Sequence, residues 1–176
     1  MGPTWRDDAQ SPDGGYGPSM LPEPAELERL LPHDTVVLYR GHHLLTQAPP
    51  SPARGFRNVS GYPDVRDLML ASDALVTDYS SLAFDYALTG QPMIFYVPDL
   101  RHYQQIRGLY LDLGREAPGP VITTVDGLGE ALRSLSDLTT AYGPRRATFR
   151  QRFCGCEDGS AAARVWAAVN DPVGWR

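Results

Sequence analysis

The chain has 176 residues, 42% of them apolar and 21% charged, which suits one globular domain with a buried core and excludes a disordered chain. Its net charge of −5 excludes a general nucleic-acid footprint, and no run of ~18 apolar residues offers a membrane-spanning helix. All 16 basic residues are arginine, and the two cysteines, Cys154 and Cys156, are too few to complete a four-ligand zinc site. No metal and no cofactor is expected.

Residues 1–24 are rich in Gly, Pro, Asp and Ser and read as a loop. Met1–Arg6 has no apolar signal core, so no secretory leader is expected. Pro24–Leu31 has helical spacing with Pro in its first turn. Thr35–Arg40 reads as a strand ending in Gly41-His42-His43 and a Pro-rich loop, and Arg57–Ser60 is a weaker strand. Asp64 opens a helix through Ala71. Ala74–Asp78 is a strand and Ser80–Thr89 a helix that Gly90 ends. Pro92–Val97 is a buried strand. Residues 98–119 form a long connection with a short helix near Tyr103, then Val121-Ile122 is a strand. Val125–Leu135, 143–153 and 159–169 complete the pattern as helices.

This alternation predicts an α/β fold, a single Rossmann-like, doubly wound parallel sheet. Runs such as Met93–Val97 suit strands covered on both faces. Ligands of such sheets sit beyond the carboxyl ends of the strands. That rule selects the loops after Arg40, after Val59 and after Asp78, all of which carry polar or histidine residues. A dinucleotide fingerprint, a Walker A loop and a GxSxG nucleophile elbow are all absent from the sequence.

The segment Leu75–Tyr86 is the most informative. An apolar strand runs into Thr77-Asp78-Tyr79-Ser80-Ser81, and the two serines open a helix. Unpartnered N–H groups and hydroxyls at such a start suit a phosphate, although Ser80 also fits as a simple cap. An aspartate beside a phosphate is electrostatically awkward, so Asp78 faces away, orients the serine hydroxyls or binds a substrate hydroxyl. Asp85 suits a ribose diol, or is a solvated surface carboxylate. In Arg40-Gly41-His42-His43, arginine can grip phosphate through its fork and histidine can donate a proton near neutral pH. Gly41 lets the backbone approach a ligand.

These residues resemble a known family. Arg40-Gly41-His42-His43-Leu44, the run Asp73–Tyr86 and Pro92–Asp99 closely resemble the CDP-glycerol glycerophosphotransferases. So do Pro3–Asp7, Gly108–Asp112, Glu116–Pro120 and Asp158–Ala161. The resemblance implies the C-terminal, donor-binding half of a GT-B glycosyltransferase fold, with residues 1–24 as the truncated start of that domain and 25–176 as the CDP-alditol-binding domain. It implies transfer of glycerol phosphate from CDP-glycerol to a teichoic-acid-type acceptor in cell-wall polymer biosynthesis.

It also implies residue roles. His42 and Arg40 are the expected catalytic residues. Thr77, Asp78, Ser80, Ser81, Asp85, His43 and Ser60 are the expected substrate-binding residues. The serines hold the diphosphate, Asp85 holds the ribose, and backbone near Val59–Gly61 meets the cytosine. The expected partners are CDP-glycerol or CDP-ribitol, a lipid-linked polyol-phosphate acceptor, and a first domain or partner chain, with no nucleic acid. The expected location is the cytoplasmic face of the membrane.

Two departures qualify the resemblance. No Trp-His-Gly-Thr-Pro-type element of the family's first domain occurs, and no apolar strand precedes Pro3-Thr4-Trp5. The isolated chain is therefore expected not to catalyse transfer by itself. The alternatives are half of a nucleotide-sugar GT-B glycosyltransferase, or an inactive nucleotide-binding fragment.

Overall fold

The computed structural model describes residues 1–4, 6, 22, 24–42 and 54–170. Helix α1 (Pro24–Leu30) leads to strand β1 (Val37–Tyr39), β2 (Phe56–Asn58) and helix α2 (Val65–Leu70). Then come β3 (Leu75–Thr77), α3 (Leu82–Tyr86) with a tight 3-10 turn at Ala87–Thr89, and β4 (Met93–Tyr96). Helices α4 (Leu100–Ile106) and α5 (Leu113–Glu116) precede β5 (Val121–Ile122). Helices α6 (Val125–Arg133), α7 (Leu135–Ala141), α8 (Gly143–Cys154) and α9 (Ala161–Asn170) follow.

All strand pairings are parallel. β1 pairs with β2, and β4 lies between β3 and β5. Met1 and Gly2 join the two groups. The Met1 amine donates to Leu38 O at 2.6 Å and Arg40 N donates to Met1 O at 2.9 Å. Gly2 N donates to Val76 O at 3.0 Å, and Gly2 bridges Thr77 in parallel. The spatial order is β2–β1–(Met1-Gly2)–β3–β4–β5. That is the strand order of a doubly wound dinucleotide-type sheet, with a two-residue stub in the central position. The α/β parallel architecture expected from the sequence is thus observed. Met1 and Gly2, within the stretch that reads as a loop, lie at its centre.

Strand alternation places one core on each face. Leu75, Met93, Phe95 and Val97 pack with Met69, Tyr86, Leu113 and Phe149. Val37, Tyr39, Val76, Ile94 and Tyr96 pack with Leu27, Leu128 and Leu132 on the other side. Each such fully buried apolar side chain contributes about 1.5–3 kcal/mol. β4 is buried along its whole length, which explains its unbroken apolar run.

The structure differs from the sequence reading in detail. β1 covers Val37–Tyr39, shorter than the expected Thr35–Arg40, and matches the three residues of its ladder partner β2. The expected helix Ser80–Thr89 is broken after Tyr86, where the Thr89 hydroxyl donates to Tyr86 O at 2.7 Å. Gly90, at φ +74°, ends it as expected. Two helices, α5 and α7, were not expected. Asp112 starts α5 by accepting from Arg115 N, while Glu116 reaches back to Asp112 N at 2.9 Å. α7 separates from α6 at Ser134 and leans Leu135 and Leu138 on the second core.

Candidate functional site

The loops beyond the carboxyl ends of β1, β2 and β3 form the candidate site. Gly41 N donates to Ser60 Oγ at 2.9 Å, and the Ser60 hydroxyl donates to Asn58 Oδ1 at 2.7 Å. The Arg40 guanidinium donates to Tyr62 O. Arg40, Gly41 and Ser60 therefore tie the first two loops together. A Cβ on Gly41 would lie 3.0 Å from the Tyr39 hydroxyl and 3.4 Å from Ser60 Oγ, so any side chain here would crowd both groups. His42 follows at once and is half-buried. His43 lies outside the described residues.

The third loop divides its residues by role. Ser80 Oγ accepts from Leu82 N at 3.2 Å, a capping bond at the start of α3. Ser81 makes no side-chain capping bond and is exposed. With only five residues, α3 has a small dipole, so hydroxyls and backbone N–H groups would have to supply most of an anion's contacts here. Asp85 is exposed on α3, and Tyr86 beside it is fully buried.

Thr77 and Asp78 are turned inward. The Thr77 hydroxyl donates to Gly2 O at 2.7 Å. Asp78 accepts from Thr4 N at 2.9 and 3.1 Å and from Arg6 Nη1 at 2.8 Å. Of the alternatives open for Asp78, facing away from the loop's outer surface matches this geometry. Arg6 also binds Asp99 through Nε at 2.7 Å. Its guanidinium carbon lies 4.9 Å from the ring centre of Tyr79 and 5.1 Å from that of Tyr103. Those rings stack at 3.7 Å, and the Tyr79 hydroxyl donates to Asp99 at 2.9 Å.

Charge follows this packing. Burial pushes the Asp78 carboxyl up, against the pull of Arg6. Burial also works on Asp99, but the Arg6 hydrogen bond and charge outweigh it and hold that carboxyl below its ordinary value. Burial and the Asp99 hydrogen bond push the Tyr79 phenol up. Arg6 stays protonated between its two carboxylates.

Sequence reasoning did not foresee this cluster. Its members come from the chain start, the end of β3, the end of β4 and α4, and no local pattern links them. Among the described residues no group of His, Cys, Asp and Glu is arranged to hold a metal ion.

The CDP-glycerol:poly(glycerophosphate) glycerophosphotransferase family model matches residues 1–171. The chain belongs to the CDP-glycerol glycerophosphotransferase family. Among family members, it is 39% identical over 168 residues to a teichoic acid glycerol-phosphate transferase of Staphylococcus aureus, covering 95% of this chain and 43% of the relative. It is 36% identical to a teichoic acid poly(glycerol phosphate) polymerase of Bacillus subtilis, covering 93% of this chain and 22% of the relative.

The structure of the H548A variant of the wall teichoic acid polymerase TagF superposes with a TM-score of 0.81 at 32% identity. It covers 98% of this chain and 43% of that one. The Rossmann-like α/β fold expected for one half of a GT-B-like enzyme is therefore present, and the chain spans less than half the length of these relatives. None of the described helices is long and apolar enough to cross a membrane.

Proposed function

We propose that this chain forms the donor-binding half of a CDP-glycerol glycerophosphotransferase. The observation that carries the reading is the meeting of Arg40-Gly41-His42 with Ser60, sealed by the 2.9 Å Gly41–Ser60 bond, in a sheet whose β3 leads through Asp78-Tyr79 into Ser80-Ser81. Support comes from the family match and from a TagF variant soaked with CDPG, which superposes with a TM-score of 0.78 at 32% identity.

In this reading Ser81 and backbone N–H groups at the start of α3 hold the donor diphosphate, with Ser80 shaping the turn. Asp85 accepts from the ribose diol, and backbone at Val59–Gly61 meets the cytosine. An acceptor hydroxyl attacks the phosphorus bearing glycerol. A new P–O bond forms to the acceptor, and the P–O bond to CMP breaks. His42 donates a proton to the departing phosphate or stabilises its charge, with Arg40 compensating charge beside it. A polyol-phosphate acceptor on a lipid places the reaction at the inner face of the membrane, with the enzyme bound peripherally. A first domain, on the same or another polypeptide, supplies the opposite wall.

Titration calorimetry tests the donor site. CDP-glycerol or CDP-ribitol should bind in preference to UDP-sugars, and Ser81→Ala should weaken binding. Equal binding, or none, of all these nucleotides would sink the reading. Because the chain spans under half of its relatives, we expect binding without turnover until the other half is added. His42→Ala should then abolish turnover while leaving most donor affinity.

A further inference from the structure

The turn from β3 to α3 is anchored on its inner side through three successive residues. The Thr77 hydroxyl donates to Gly2 O at 2.7 Å. Asp78 accepts from Thr4 N at 2.9 and 3.1 Å and from Arg6 Nη1 at 2.8 Å. The Tyr79 hydroxyl donates to Asp99 at 2.9 Å, and the Tyr79 ring stacks on Tyr103 of α4 at 3.7 Å. The two residues that follow are held only locally. Ser80 Oγ accepts from Leu82 N at 3.2 Å, and Ser81 is exposed with no capping bond.

Neither stability nor charge accounts for this set. Arg6 and Asp78 are 7% and 3% exposed, and exchanging a buried ion set for apolar side chains is often neutral or stabilising. One guanidinium faces two carboxylates, which leaves a formal negative charge beneath the turn. In the donor-binding reading that turn receives a diphosphate, which such a charge opposes. What the set does supply is a fixed shape. The turn is ordered before a ligand arrives, so binding there avoids the cost of ordering it.

We propose that Arg6, Asp78, Tyr79 and Asp99 are positioning residues for the donor. They hold the Tyr79-Ser80-Ser81 turn in the shape that receives the phosphate bearing glycerol, without touching the substrate themselves. The proposal rests on the donor-binding reading above.

The test is calorimetry with CDP-glycerol and with CMP, on the whole chain and two variants of it. CMP lacks the phosphate that bears glycerol and serves as the internal control. Tyr79→Phe removes one hydroxyl, keeps the ring beside Tyr103 and changes no charge. It should weaken CDP-glycerol at least about fivefold and CMP by about twofold at most. Asp78→Asn separates position from charge. Taking a negative charge from beneath the turn tightens CDP-glycerol where charge governs. Loss of the Arg6 tether should instead weaken it at least about tenfold. Melting temperatures follow any structural loss, whereas the ratio of the two affinities moves only with the turn. If Asp78→Asn fails to fold, Tyr79→Phe alone decides. An unchanged ratio in Tyr79→Phe, or tighter CDP-glycerol binding by Asp78→Asn, would overturn the positioning role and leave the donor-binding reading standing. Absence of CDP-glycerol binding by the parent chain would overturn both.

Discussion

Arg6 concentrates more of the structure's polar energetics than any other residue described. It bridges two carboxylates, lies beside two stacked tyrosines, and leaves only 7% of its surface exposed. Removing one member of such a buried set strands the opposite charges. Arg6→Ala should therefore cost about 3–5 kcal/mol, read as a lower urea midpoint with unchanged slope. Adding Asp78→Asn and Asp99→Asn to it should recover part of that loss. Met1 supplies the second test at this scale. Burial lowers its amine from the ordinary 8.0 to about 5. The folded state thus holds that proton less tightly than the unfolded chain, so stability is complete above pH 8 and is lost as pH falls toward 5. The total is no more than about 4 kcal/mol. Melting temperatures across this range should slope less in the N-acetylated chain than in the free one, which leaves the histidine contributions common to both.

Among the elements, the approach to β5 tolerates least change. A Cβ on Gly119 would fall 1.8 Å from Met93 O and 2.7 Å from its carbonyl carbon. Backbone stands in the way, so β4 and β5 would have to part. Gly119→Ala should destabilise by several kcal/mol, about as much as a severe core overpacking, whereas Gly61→Ala, with open space around it, should be close to neutral. Thermal melts of the two variants make the comparison. Gly119 drew attention in the sequence only as part of the family resemblance; its need for glycine comes from packing against a strand 26 positions earlier. β3 and β4 were legible because burial on both faces gives unbroken apolar runs. The loop residues Arg40, His42, Ser60 and Ser81 were legible because strand ends select the site in such sheets. Residues 135–141 gave no such signal, since they form a separate helix only through the break at Ser134. The Arg6 cluster was invisible for another reason. Its ion pairs span 72 and 93 residues, so no window of sequence contains both ends.

At the scale of the molecule, Met1 and Gly2 form a narrow seam. The β2–β1 pair and the β3–β4–β5 sheet are each continuous, but the backbone bonds between them run through these two residues. Arg40, His42 and Ser60 stand on one side of that seam, and Ser80, Ser81 and Asp85 on the other. A nucleotide gripping both sides would oppose their separation, and CDP-glycerol at a hundredfold excess over its dissociation constant should stabilise the fold by about 2.7 kcal/mol. CMP, which lacks the second phosphate, should do less at equal concentration. A differential scanning calorimetry series measures both. Without ligand the two parts are expected to unfold less cooperatively than the chain's size suggests. On the proposed reading, a donor bound across the two-residue seam would be a mechanical component of the fold as well as cargo: whatever spans the cleft would act as the cross-brace that lets both parts melt as one.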